Sequence, residues 1–323
     1  MRYALVFVAA VLVAALLVSL ACRRESARPV TGAAPEPPAA GTLKARAVSW
    51  DIGFHPPTES EWIARVVHEV RDASAAGVDV LVWPELFASG LLAYAPDERP
   101  HEWGTRRVSA ALLPAVKAAT APGMLVCLGS YAHQENGWKH ARNRSPVLLN
   151  GTWHFVDKVH PTPGERVEEP PIEPGSVLPV FEFRGGRVAV LVCFTLEMPE
   201  VSAALKKEDV HLILAPTATA DEDGAARVLR TASARAVELG AAVLVAPLVG
   251  TTDGWKNVGS AACYLPAQKG IDHRPRESPR RTAGTTRDDF VIPWQALLNL
   301  RHQDAKPETR PFLAAQPFKT ERR

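Results

Sequence analysis

The chain has 323 residues, 46% of them hydrophobic and 22% charged, with a formal net charge of +2. That length and composition describe a globular protein with one large or two small domains and a substantial core. A charge so near zero, with no basic stripe interleaved with aromatics, argues against a nucleic-acid partner.

Met1-Arg2-Tyr3 is followed by an uncharged, mostly apolar run from Ala4 to Ala21 and then by Cys22-Arg23-Arg24. The run is long for a signal h-region and just long enough to span a bilayer. Ser19-Leu20-Ala21-Cys22 resembles a bacterial lipoprotein signal, in which the cysteine becomes the lipidated first residue, although Ser19 stands where the usual pattern has leucine. Lipidation of Cys22 is the expectation, with an uncleaved anchor or simple secretion as alternatives. All three place the rest of the chain outside the cytoplasm, and lipidation, the favoured reading, holds it at a membrane of the cell envelope. Residues 23–42 are rich in Ala and Pro without apolar periodicity, the composition of an extended tether. Residues 301–323 are charged and weakly patterned and read as a tail.

Between 43 and 300 the pattern alternates strands with helices. Lys44–Trp50 reads as a strand, and Thr58 or Ser60 can cap a helix that runs to Ala75 and stops at Gly77. Val78-Asp-Val-Leu-Val-Trp-Pro-Glu85 is a strand that delivers a carboxylate. A helix over Thr105–Ala119 and a strand over Met124–Gly129 follow. Pro146–Leu149, Asn150-Gly151 and Thr152–Lys158 then form a hairpin that delivers an ammonium. Val177–Phe183, a Gly185-Gly186 turn and Arg187–Cys193 form a second hairpin that delivers a thiol. The remaining elements are a short helix at Pro199–Lys207, a strand at Val210–Ala215, a helix at Asp223–Leu239 ended by Gly240, strands at Ala242–Ala246 and Ser260–Leu265, and a polar insertion from Gln268 to Asp289. β-α units mixed with hairpins predict α/β layers around mixed sheets.

Strand ends are where sheet proteins assemble active sites, and Glu85, Lys158 and Cys193 there would supply a base, a charge stabiliser and a nucleophile. Taken alone, a cysteine in an apolar strand is core packing, and Cys127 and Cys263 are read that way. Three cysteines besides Cys22 cannot form a complete disulfide set, so at least one thiol is free. No Cys/His spacing suggests a metal, and no cofactor is expected.

Trp83-Pro84-Glu85, Asp157-Lys158-Val159-His160 with Gly164-Glu165, and Cys193-Phe194 with Pro199-Glu200 occur in order. Together they resemble the three signatures of the nitrilase (carbon–nitrogen hydrolase) superfamily, and Ala234–Ala241 resembles its second half. The resemblance implies a four-layer αββα sandwich with two mixed β-sheets over residues 43–300, and a homodimer. It assigns Glu85 as base, Lys158 and the Phe194 backbone amide as oxyanion donors, Cys193 as nucleophile and Glu165 as support. The substrate would be a small molecule with a non-peptide carbon–nitrogen bond, an amide in preference to a nitrile, cleaved through a thioester. His160, Thr195 and Glu197 would border the substrate. Many relatives carry an acid and an arginine where Thr195 and Glu197 stand, and an asparagine or serine in the stretch matched by Ala215-Pro-Thr-Ala-Thr219; those positions border the substrate, so the substrate does not carry over. An N-acyltransferase with the same triad and a catalytically inactive scaffold lipoprotein are the competing readings.

Overall fold

The computed structural model describes residues 41–95, 104, 107–167, 171–252 and 255–304. The signal or anchor, Cys22, most of the tether and the tail beyond Asp304 lie outside the described residues. Within them, no helix is long and apolar enough to cross a membrane.

Among the described residues fourteen strands form one continuous ladder that folds into two sheets. The first sheet holds β1 (Leu43–Asp51), β2 (Val80–Val82), β3 (Leu125–Cys127), β4 (Tyr131–His133), β5 (Arg142–Leu149), β6 (Thr152–Asp157) and β14 (Thr286–Ile292). The second holds β7 (Val180–Phe183), β8 (Gly186–Val190), β9 (Leu212–Thr217), β10 (Ala242–Thr252), β12 (Ala262–Tyr264) and β13 (Arg276–Glu277), and β11 (Trp255–Asn257) pairs with the far end of β10. Trp50 and Asp51 pair in parallel with Leu248 and Val249, joining the sheets at one end. The chain runs parallel across β1, β2 and β3 and across β8, β9 and β10, and the hairpins are antiparallel.

The central strands are nearly continuous apolar runs because both of their faces are buried. Val80 and Val82 point into the layer between the sheets with Leu125, Val190, Leu212 and Leu244. Leu81 and Val126 point outward, under Trp62, Val66 and Val70 of α1 (Glu59–Ala75) and Val116 of α2 (Leu113–Ala119). On the opposite face Ile213 and Val243 meet Val201 and Leu205 of α4 (Pro199–Lys207) and Val228, Ala232 and Ala236 of α5 (Glu222–Leu239). The result is the expected four-layer αββα sandwich. Between these helices in sequence lies the single turn α3 (Pro163–Val167), and α6 (Trp294–Asp304) ends the described chain.

Local signals were read correctly where they are local. Thr58 closes a capping box with Glu61, and Gly240 ends α5 at φ 59°. Asn150 and Gly151, at φ 49° and 74°, make the two-residue turn between β5 and β6. The second hairpin turns one residue earlier than expected. Phe183 pairs with Gly186, so Arg184 and Gly185 form the turn and Gly186 begins β8. A Cβ at Gly186 would fall 2.5 Å from Trp294, so close packing rather than turn geometry requires that glycine. The polar stretch from Gln268 to Asp289 is not simply an insertion. It carries the chain back to the first sheet, where β14 pairs with β1 over seven positions. Arg287 pairs with Glu69 and Asp289 with Arg46, so this strand satisfies charges where an apolar period would have announced it.

Candidate active site

Each element that brings a functional group here does so at the carboxyl end of a strand. Three residues past β2, Glu85 occupies a turn in which Leu86 takes φ 55°. This turn is clamped from the β3–β4 connection. Ser130 accepts the Leu86 N–H at 3.0 Å and gives its own N–H to the Pro84 carbonyl. Gly129 approaches so closely that a Cβ there would lie 2.0 Å from the Pro84 oxygen. Trp83 packs its ring against Trp50 and Phe87, which fixes the turn from below.

Lys158 follows β6 directly. Its N–H bonds the Asn143 carbonyl and its own carbonyl accepts from Gly175. Its Nζ reaches Glu85 Oε1 at 2.8 Å and Glu165 Oε2 at 2.7 Å, with only 1% of the side chain exposed. Glu165 belongs to α3, where it caps reciprocally with Thr162. The Glu165 N–H donates to Thr162 Oγ1, and the Thr162 N–H donates to Glu165 Oε2 at 2.7 Å.

Cys193 lies three residues beyond β8, not on the strand itself. It begins a short 3-10 turn, Cys193–Glu197, at φ 45°, the left-handed region that an L-residue occupies only under tertiary constraint. Its Sγ lies 3.6 Å from the Ala218 carbonyl, while the Ala218 N–H donates to Glu85 Oε2 at 2.9 Å. A single peptide residue just past β9 therefore holds both the thiol and the carboxylate.

Burial is the largest influence on every charge in this cluster. It raises Glu85, and Glu165 adds to the rise while Lys158 partly offsets it. It pushes the Cys193 thiol far up, reinforced by Glu85 and only partly opposed by Lys158, so the resting sulfur is protonated. Burial would lower Lys158, but Glu85, Cys193 and Glu165 outweigh it and keep the ammonium charged. Burial would likewise raise Glu165, yet Lys158, Thr162 and Asn143 hold it below the usual carboxylate range. Cys127 and Cys263 are fully buried thiols pushed up to about 12, consistent with core packing, and all three described cysteines are free.

The remaining expected residues fall into place unequally. Phe194 is the second residue of the 3-10 turn, where N–H groups lack an intrahelical partner. Thr195 is buried, and its Oγ1 accepts the His160 N–H at 3.2 Å, tying the lysine loop to the cysteine turn. His160 Nε2 faces Glu200 of α4 at 3.2 Å. Glu197 is paired with Arg227 of α5, and among the described residues no hydrogen bond or ion pair joins it to Glu85, Lys158 or Cys193. No group of three or more His, Cys, Asp or Glu among the described residues could hold a metal.

Sequence reasoning missed Asn143 and Arg235 as parts of this site, and it reached Ala218 only as one of the substrate-bordering positions 215–219, not as a partner of Glu85 and Cys193. Asn143, buried on β5, donates through Nδ2 to Glu85 Oε1 at 2.9 Å and to Glu165 Oε1 at 3.0 Å. β5 begins four residues earlier than the apolar run at Pro146 suggested, and a polar residue inside a strand was the only signal. Among the described residues its buried Oδ1 has no hydrogen-bond partner. Ala218 acts through its backbone and carries no side-chain signal. Arg235, buried on α5, caps the far end of the cysteine turn by donating to the carbonyls of Leu196 and Glu197.

Comparison with known proteins agrees with this architecture. The carbon–nitrogen hydrolase family model matches residues 46–271. A probable hydrolase of Bacillus subtilis (strain 168), YhcX, is 27% identical over 202 residues, 61% of this chain but only 39% of that protein's length. Among solved structures, an amidase from Nesterenkonia sp. AN1 in complex with butyramide superposes with a TM-score of 0.62 at 19% identity, covering 83% of this chain and 99% of the other. A carbon–nitrogen hydrolase superfamily protein from Xanthomonas campestris with an arsenic adduct in its active site gives 0.62 at 17% identity, covering 87% and 99%. Those identities speak for the fold alone, whereas the family model covers well over half of the residues, and on that ground this chain belongs to the carbon–nitrogen hydrolase family.

Proposed function

We propose that the protein hydrolyses a small-molecule amide through a Cys193 thioester, with Glu85 as the shuttling base and Lys158 as the oxyanion donor. The observation that carries this reading is the Ala218 residue holding thiol and carboxylate together while Lys158 bridges Glu85 and Glu165. Core packing does not require a buried ammonium between two buried carboxylates, an arrangement that is costly unless it is used.

The resting thiol is neutral, because a thiolate would add a second net negative charge to a buried cluster that already holds one. Attack therefore moves the Sγ proton to Glu85 as sulfur bonds to the carbonyl carbon. The raised Glu85 suits it for that exchange, since a base works best when its affinity approaches the donor's. Two of the three Lys158 N–H donors are committed to carboxylates, and the third, with the Phe194 N–H, is available to the developing oxyanion. Collapse breaks the carbon–nitrogen bond, and Glu85 returns the proton to the leaving amine. Water then attacks the thioester, its proton again passing to Glu85, and the acid leaves as the thiol is re-formed.

An amide is favoured over a nitrile because a structural neighbour is an amidase with bound butyramide. The apolar run before Cys22 supports an exported, membrane-held location for this chemistry. The test is ammonia release from a panel of amides, ureas and nitriles, with Cys193→Ala as control and mass spectrometry for an acyl adduct on Cys193. Release from amides that the control abolishes is the expected result. A full panel without release, or release that survives Cys193→Ala, overturns the reading.

A further inference from the structure

Asn143 is linked to every charged group around the ammonium. Its carbonyl accepts the Lys158 N–H, and its Nδ2 donates to Glu85 Oε1, the oxygen that Lys158 also reaches, and to Glu165 Oε1, the oxygen that Lys158 leaves free. The reverse amide orientation would set a carbonyl oxygen against two carboxylates, so the electrostatics leave only this one. In that orientation Oδ1 is buried and has no partner among the described residues. A fold that keeps a carboxamide with an orphaned acceptor is using its two N–H groups. The carboxylates otherwise share a single cation, Lys158, and repel each other. A neutral donor between them relieves that repulsion without drawing charge from the ammonium.

We infer that Asn143 is a positioning residue, whose amide holds Glu85 and Glu165 apart and ionised so that Glu85 faces the Cys193 thiol. This rests on the proposed roles of Glu85 and Cys193. The groups that face Glu85 are Lys158 beyond β6, Glu165 of α3, Cys193 beyond β8 and the Ala218 N–H beyond β9. Of these Lys158 and the Ala218 N–H donate to Glu85 alongside Asn143. Removing Asn143 takes a hydrogen bond from the charged form of Glu85, which then protonates at higher pH.

The experiment follows the rate of Cys193 alkylation by iodoacetamide, read by peptide mass spectrometry across pH, in the wild type, Glu85→Gln, Asn143→Ala and Asn143→Asp, with melting temperatures for each. For Asn143→Ala the acidic limb of the profile is expected to rise by about one pH unit, the equivalent of one lost charge-assisted hydrogen bond. Asn143→Asp, which adds a third carboxylate, is expected to move it further. If an amide substrate is in hand, kcat should fall at least about tenfold at neutral pH with KM little changed. A wild-type profile in folded Asn143→Ala overturns the inference. Should that variant fail to fold, Asn143→Ser, which keeps one donor, is judged by the same criterion. If Glu85→Gln itself leaves the alkylation profile unchanged, the base assignment fails and takes the positioning role with it.

Discussion

Replacing Lys158 by methionine removes the charge that makes this cluster tolerable while nearly keeping its volume. Its Nζ lies 2.8 Å from Glu85 and 2.7 Å from Glu165, and those carboxyl groups are 3% and 12% exposed. Breaking a buried ion pair by deleting one partner costs about 3–5 kcal/mol, and here one deletion strands two like charges, so the upper end is expected. The penalty must depend on pH. Without the ammonium both carboxyls are raised above their unfolded values, so the folded state takes up protons more readily. Stability is then retained below the unfolded glutamate pKa of about 4.3 and lost as pH rises through the folded values. Urea denaturation of wild type and Lys158→Met should show a deficit at about pH 8 that shrinks substantially at about pH 5. Adding Glu165→Gln to the variant should recover stability, a coupling opposite in sign to simple addition. Equal stability at the higher pH, or a deficit independent of pH, would refute this electrostatic account of the site.

Glu85→Gln is expected to abolish amide turnover and to slow Cys193 alkylation by at least about tenfold. Gly129→Ala should destabilise by about 3 kcal/mol and lower kcat about tenfold or more, because a Cβ would collide with the Pro84 carbonyl that carries Glu85, and φ is 56° there. Normal turnover would show that the Glu85 turn is not held by that approach. Asp289→Asn should cost about 1 kcal/mol in denaturation, since its ion pair with Arg46 ties β14 to β1 but is partly exposed and screened. Burial would raise Asp289, but the hydrogen bond and charge of Arg46, helped by Lys44, outweigh it and hold the carboxyl below its usual range, so its contribution should be present at neutral pH and vanish as pH falls into the acid range. A deficit that persists in acid would rule out this pairing as its source.

What could be read without coordinates was local in origin. Caps at Thr58 and Gly240, the Asn150-Gly151 turn and the apolar central strands each depend on neighbours within a few residues. The ionisable residues that end three of those runs were legible for the same reason, because a charge after a buried strand has few places to go. Burial on both faces also explained why the central strands show no alternation, which pointed to a layered sandwich rather than a half-exposed sheet. The tertiary structure decided what depends on residues far apart in the chain. β14 was hidden because its side chains meet Arg46 of β1 and Glu69 of α1 instead of forming an apolar period. The strained φ of Cys193, three residues past its strand, follows from the contacts around it. Ala218 contributes only peptide atoms, which any residue would supply, and the role of Asn143 exists only once Glu85 and Glu165 converge on it. Residue types are encoded one at a time, whereas a catalytic geometry is a property of several strand ends meeting, and burial sets its charges only after they have met.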